Sequence, residues 1–365
     1  MIKVLHVYKT FAPDDFTGVP RVIHSIAKSL STCCDNTVLT LADQPAASQP
    51  LEVDGYHLYQ VKRAGKLYST DLSISIFGDF RRRAAEADVV HFHHPWPLMD
   101  LMQLASCSQT PSVITYHSDI VRQRLLKPIY APIMHAFLLQ ADALVATSPN
   151  YLKSSPILQR YRQKASVIPI GIAARDAPDV SLVRHWKSKV GEGFFLFIGT
   201  FRYYKGLRYL IEAARLNGLR VVIVGSGDVG SLGRNLPDNV TVLGPVSEVD
   251  KEALLTLSAA FVFPSHLRSE AFGVALLEAA RAGKPMISCE IGTGTSFVNV
   301  DGLTGIVVPP ANPDALSAAM VQLAGVPGLA AKMGAAAIER YRSHFSEDGM
   351  SSKYLQIYQR LAASA

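Results

Sequence analysis

Two glutamates eight positions apart, Glu270 and Glu278, bracket Ala271-Phe272-Gly273-Val274-Ala275-Leu276-Leu277, shortly after the apolar run Ala260-Phe261-Val262-Phe263. If a helix opens near Gly273, its unpaired backbone N–H groups and its dipole favour a phosphate there, and the glycine lets that ligand come close. Eight residues of helix rise about 12 Å, roughly the reach from the sugar of a nucleotide diphosphate sugar to its ribose. Each carboxylate would accept hydroxyl hydrogen bonds at one end of such a ligand.

Other residues offer complementary chemistry. Gly199-Thr200-Phe201-Arg202-Tyr203-Tyr204-Lys205-Gly206 joins a strand-like run to a helical one. Arg202, as a planar fork, and Lys205, as a point charge, would neutralise a diphosphate there; the plainer reading is two solvated loop charges. His117 ends the run Ser112-Val113-Ile114-Thr115-Tyr116 and would face the crevice at the carboxyl end of a parallel strand. Gly18, before an amphipathic stretch, is either a second approach to phosphate or a helix-entry turn.

Gly225-Ser226-Gly227-Asp228-Val229-Gly230 follows Val221-Val222-Ile223-Val224 and fits a dinucleotide fingerprint, which would make the chain an NAD-dependent oxidoreductase. Gly233 and Pro237 leave room there for only a short helix, and no acid ends the run Val240 to Leu243, so a tight turn is the better reading. His91, His93 and His94 raise the question of a metal. Strand spacing sends His93 and His94 to opposite faces and no carboxylate cluster accompanies them, so no metal is expected; they are assigned to the acceptor side of a cleft instead. Arg81, Arg82, Arg83, Arg122, Arg124 and Lys127 are solvated faces or, as a lesser option, a membrane-facing surface. No Ser-His-Asp set is visible, which leaves positioning and electrostatics to do the chemistry.

The elements that position these residues are legible as alternation. Short β-branched runs alternate with amphipathic ones from Ile2 to Pro169 and again from Phe194 to Val308, which predicts an α/β fold with parallel sheets and ligands at strand carboxyl ends. The pattern pauses between Gly171 and Lys189, where the linker is placed. The expected domains are 1–172, 190–345 and a terminal helix over 346–365. A two-lobed binding protein shares such a layout and stands as the non-enzymatic alternative. The chain's 365 residues, 48% hydrophobic and 18% charged, suffice for two such cores. Its net charge of +6 is shared evenly by the halves, which excludes a nucleic-acid tail and suits an anionic ligand or an acidic membrane surface. Four cysteines, with Cys33 and Cys34 adjacent and Cys107 and Cys289 alone, and the lack of a signal peptide or long apolar run point to the cytoplasm, at most peripheral to its membrane.

With these motifs in place, the chain resembles the glycosyltransferase family 4 enzymes of the GT-B fold over nearly its whole length, most closely from Gly199 to Pro310. The resemblance maps the family's E-x7-E element onto Glu270 and Glu278, its phosphate clamp onto Arg202 and Lys205, its first-loop glycine onto Gly18 and its catalytic-region histidine onto His117. Thr200 stands where many members carry arginine, and Gly18 is alone where paired glycines are common. Phe201 to Gly206 and Thr115 to Val121 are similar to bacterial members that build lipopolysaccharide and O-antigen chains with mannose or rhamnose. The resemblance implies two Rossmann-like domains facing across a cleft and a retaining, metal-independent transferase without cofactor. Its partners would be a nucleotide sugar donor, GDP-linked by first expectation, and a glycan or lipid-linked glycan acceptor. It further implies that Lys205, Arg202 and the amides of Ala271, Phe272, Gly273 and Val274 hold the diphosphate, Glu278 the ribose and Glu270 the donor sugar. Val246 would touch the base, His117 and Glu270 would serve catalysis, and the last helix would cross back to the N-terminal domain.

Overall fold

The computed structural model describes residues 1–67, 70–120, 127–232 and 235–364; Arg122 and Arg124 lie outside them. The chain divides into two compact units, Met1–Ala173 with Glu347–Ala365, and Ala174–Ser346.

The first unit is built on strands β1 Ile2–Val7, β2 Cys34–Ala42, β3 Leu51–Val53, β4 Tyr56–Lys62, β7 Val89–His94, β8 Ser112–Tyr116, β9 Ala143–Ala146 and β10 Ala165–Val167, with a separate hairpin of β5 Gly65–Leu67 and β6 Thr70–Leu72. The sheet order is β10-β9-β8-β7-β1-β2-β4-β3, and only β3 and β4 pair antiparallel. The alternation read from the sequence misses this β3–β4 edge. Its half-exposed Leu-Glu-Val run is too short to show a period.

Register decides what this sheet carries. Val4 sits opposite both Asn36 and Val89, His6 opposite His91, and His93 opposite Thr115. Side chains alternate faces with period two, so Asn36, His6, His91, His93 and Thr115 all point to one face. That face is covered by the helix Val19–Ser29 and by the helix Glu347–Ala362, which buries Met350, Tyr354, Ile357, Tyr358 and Leu361 at helical spacing. The last helix thus packs within the first unit.

The second unit has six parallel strands, β11 Phe195–Ile198, β12 Val221–Val224, β13 Val240–Leu243, β14 Ala260–Phe263, β15 Met286–Cys289 and β16 Gly305–Val308, in the order β13-β12-β11-β14-β15-β16. Runs such as Phe-Leu-Phe-Ile and Ala-Phe-Val-Phe are buried throughout, as strands sandwiched between helices must be. From β11 the chain winds outward through β12 and β13, then returns to β14 on the other side. The sheet therefore changes winding direction between β11 and β14, where loops at the carboxyl ends diverge and leave room for a ligand.

One stretch differs from the sequence reading. The linker does not run to Lys189, because Asp179 caps a helix over Val180–Val190 with its carboxylate on the Ser181 N–H. That helix is tied down by Trp186, whose indole donates to Asp250 Oδ1 at 2.8 Å. A single buried aromatic on a polar helix gives too little periodicity to be seen beforehand.

Candidate functional site

The two loops at the β11–β14 switch point touch through glycine. Gly206 follows the short turn Tyr203–Lys205 at φ 71°, and a Cβ there would lie 2.1 Å from the Pro264 carbonyl oxygen. Only glycine permits that approach. His266 N–H donates to the Tyr204 carbonyl at 3.0 Å, which ties the loops together a second time. The result is a largely buried ion pair, Lys205 Nζ to Glu270 Oε2 at 2.5 Å, with Ser265 Oγ 3.5 Å from the same oxygen. The Lys205 ammonium also lies 4.6 Å from the centre of the Phe263 ring, whose face favours a cation.

Beyond Glu270 the chain turns through Gly273, at φ 88°, into the helix Val274–Arg281. Gly294 N–H donates to the Ala271 carbonyl at 2.8 Å, and a Cβ on Gly294 would lie 2.6 Å from the Phe272 ring, so the turn is pinned from below. Ala271 and Val274 stay partly exposed while Phe272 and Gly273 are buried. The helix starts at Val274, so the 12 Å ruler needs correction. Only the segment from Val274 to Glu278 is helical, a rise of about 6 Å, and Glu270 projects from the turn in front of it. Glu278 is buried one turn inside.

The remaining expected donor residues are placed as follows. Arg202 is exposed on extended backbone and forms no ion pair among the described residues. Val246 is half-buried between β13 and the helix Glu248–Leu257, which Ser247 and Asp250 cap reciprocally. Gly18, in the first unit, precedes the helix Val19–Ser29 at φ 54° with open space where a Cβ would go.

The Gly225 to Gly230 loop leads into a short 3-10 turn, Val229–Leu232, and among the described residues no α-helix N-terminus stands there for a pyrophosphate. A Cβ on Gly225 would lie 1.9 Å from the Gly199 carbonyl oxygen, and one on Gly227 2.6 Å from that of Phe201. These glycines serve close packing of the β12 loop against the β11 loop.

In the first unit His117 follows β8 and is buried, its N–H donating to the His94 carbonyl at 3.0 Å. Asp119 fixes the turn after it: Oδ1 accepts from Tyr116 at 3.0 Å and from Ser155 at 2.8 Å, and its N–H donates to the Tyr151 hydroxyl. His117 Nε2 lies 3.1 Å from His93 Nδ1. Burial, with a smaller contribution from His94, lowers the His117 pKa to about 3, so its ring is neutral.

His91, His93 and His94 are fully buried and are not surface groups for an acceptor, which corrects that reading. His94 stacks on Tyr116 with ring centres 4.4 Å apart. His91 Nδ1 meets the Tyr358 hydroxyl and Nε2 the Thr115 hydroxyl, each at 2.7 Å, and Thr115 meets Tyr354 at 2.8 Å. His6, His91 and His93 bring one nitrogen each within 4.8 Å of one another. All six ring nitrogens of these three residues already engage hydrogen-bonding partners.

His6, Asn36, Tyr354, Tyr358 and His266 were not singled out from the sequence. His266, buried edge-on between Tyr203 and Tyr209 beside Gly206, had a usable signal in its place between Pro264 and Glu270. His6 and Asn36 are brought together by strand register, and Tyr354 and Tyr358 by the helix Glu347–Ala362 that covers the same face.

Comparison with known proteins agrees with this architecture. Residues 16–175 match the family model described as Glycosyltransferase Family 4, and residues 182–340 the one described as Glycosyl transferases group 1. The chain is 47% identical over 357 residues to the D-rhamnosyltransferase WbpZ of Pseudomonas aeruginosa, covering 94% of this chain and 92% of that protein. It is 38% identical to the O-antigen chain mannosyltransferase C of Escherichia coli, covering 100% of both. Among solved structures, Anabaena Alr3699/HepE in complex with UDP and glucose superposes with a TM-score of 0.78 at 16% identity, covering 99% of this chain and 100% of that one. Switch-point loops, E-x7-E element and full-length relatives converge: the chain belongs to the family 4 glycosyltransferases and has the GT-B fold.

Proposed function

We propose that this glycosyltransferase moves a mannose- or rhamnose-type sugar, with retention, from a nucleotide diphosphate donor to a growing glycan of bacterial O-antigen polysaccharide. The observation that carries the donor half is the Lys205–Glu270 pair in front of the glycine-started helix that bears Glu278. A cation, a helix N-terminus and two carboxylates supply the chemistry that a diphosphate and the hydroxyls of a sugar and a ribose require. The sugar class comes from the two relatives, whose names specify rhamnosyl and mannosyl transfer.

In this reading Lys205, Arg202 and the amides from Ala271 to Val274 hold the diphosphate, Glu278 accepts from the ribose, Glu270 from the donor sugar, and Val246 packs against the base. The bond between the anomeric carbon and the leaving phosphate oxygen breaks while the acceptor hydroxyl oxygen bonds the same face of that carbon. Its proton passes to the leaving phosphate oxygen. Lys205 and the helix amides stabilise the charge that develops on that phosphate. No metal enters this scheme.

No single helix among the described residues is long and apolar enough to cross a membrane; one bent pair, Pro313–Gly325 with Leu329–His344, passes by length and composition together, at a bend of 101°. Peripheral contact at the inner face of the cytoplasmic membrane, where a lipid-linked acceptor is presented, belongs to the proposal.

The test is a thermal-shift series with GDP, UDP, TDP and ADP, followed by turnover of the matching mannose and rhamnose donors with and without EDTA and by NMR of the product anomer. Stabilisation by one nucleoside diphosphate, EDTA-insensitive turnover and a retained anomeric configuration are expected. An inverted product, or indifference to all four nucleotides, would sink the proposal.

A further inference from the structure

The hydrogen bonds across the first unit's sheet form one connected line, Asn36 to His6 to His93 to His117, with separations of 3.3, 3.3 and 3.1 Å. Each link joins two groups of which one must carry the proton and the other a lone pair, so fixing one end fixes the whole line. Asn36 is that end. Its side-chain amide donates to the Ala27 carbonyl at 3.1 Å, which turns its carbonyl oxygen, a pure acceptor, towards His6 Nε2.

We infer that Asn36, His6 and His93 are positioning residues that lock His117 as the Nε2–H tautomer and hold a bare Nδ1 lone pair outward, as acceptor for a substrate hydroxyl. The inference rests on His117 serving the transferase site. The line reads outward from Asn36. His6 Nε2–H donates to Asn36 Oδ1, leaving His6 Nδ1 bare. It accepts from His93 Nε2–H, leaving His93 Nδ1 bare, and this accepts from His117 Nε2–H. Each ring must be neutral for the reading to hold. All are buried, and desolvation lowers His6 to about 4, His117 to about 3 and His93 well below its ordinary value. Among the described residues His117 Nδ1 makes no hydrogen bond, nor is it one of the fully buried atoms left without a partner.

His91 shows why a relay fits better than a metal site. It belongs to the same cluster, yet both of its nitrogens are held by hydroxyls of Tyr358 and Thr115. A metal would have to strip protons from a line already satisfied end to end.

The test has two arms on the full chain. In the first, histidine 15N NMR at neutral pH, assigned through His6→Gln, His93→Gln and His117→Gln, should show Nε2–H tautomers for His6, His93 and His117. A protonated Nδ1 on His117, an imidazolium, or a stoichiometric divalent ion retained on the cluster would overturn the inference. In the second, His93→Phe keeps a ring in place but offers His117 Nε2–H no acceptor. It should lower kcat about tenfold, the loss of about 1.4 kcal/mol, with donor KM within about twofold. His93→Gln, whose carbonyl accepts from His117 and whose amide donates to His6, should restore most of that turnover. Wild-type kcat in His93→Phe, or equal losses in both variants while both stay folded, would overturn it. If no nucleotide sugar turns over, the transferase proposal fails, and the NMR arm still decides the tautomers.

Discussion

Lys205 Nζ stands 2.5 Å from Glu270 Oε2, so the cation assigned to the diphosphate is paired with the acid assigned to the sugar. A nucleotide must exchange one anion for another at Lys205. Lys205→Ala should weaken nucleoside diphosphate binding about 10- to 100-fold, the worth of a hydrogen bond to a charged group. Glu270→Gln should leave that affinity unchanged or raise it by freeing Lys205, while lowering kcat with the sugar donor. Calorimetry with the nucleotide and steady-state rates with the sugar nucleotide separate the two.

Glu278, buried one turn into its helix, is assigned to the ribose. A buried group built to accept from hydroxyls penalises a ligand that lacks them. The wild-type protein should therefore prefer GDP over 2′,3′-dideoxy-GDP by about tenfold or more, and Glu278→Ala should erase most of that preference. If the variant discriminates as well as the wild type, Glu278 does not read the ribose.

Gly206 combines φ 71° with a carbonyl oxygen 2.1 Å from its missing Cβ. Gly206→Ala must push the two switch-point loops apart, at a cost of about 2 kcal/mol or more in urea-denaturation stability. Gly18→Ala meets no atom within 4 Å but shares the positive φ, so its loss should be smaller, about 1 kcal/mol.

The buried histidines predict acid sensitivity. His6 takes its proton at about pH 4 in the folded chain and at about 6.5 when unfolded; His117 follows at about 3, and His91 and His93 are lowered too. On acidification the unfolded chain binds these protons first. The stability is complete above pH 6.5 and is lost as the pH falls from there towards 4 and below. Each such histidine adds a slope of about 1.4 kcal/mol per pH unit inside its window. The urea midpoint should fall accordingly between pH 6.5 and 4, and His6→Gln should flatten the slope by about one proton.

The sequence makes the two parallel sheets and the donor loops readable for a physical reason. Parallel strands buried on both faces are continuous apolar runs, and the residues from Gly199 to Lys205 and from Glu270 to Glu278 lie within a few positions of such runs. Lys205 and Glu270 are 65 positions apart, and their direct pairing follows from the Gly206–Pro264 contact, which no local pattern encodes. The histidine line is less readable still. His6 faces His91 because of parallel register between strands 85 positions apart, and a shift of one residue would send His91 to the other face. The loop at Gly225 shows the opposite hazard. A short fingerprint can be satisfied by glycines that only admit a neighbouring backbone.

The helix Glu347–Ala362 has one more consequence, for synthesis on the ribosome. Its Tyr354 and Tyr358 close the face of a sheet whose first strand is Ile2–Val7, while the whole of Ala174–Ser346 is made in between. The middle of the chain can therefore complete its fold while the beginning still waits, with Thr115 and His91 lacking their tyrosine partners. A stop codon just before Tyr354 would remove both tyrosines and leave the half made first without its cover. Translation itself sets the order: the N-terminal unit is begun first and finished last.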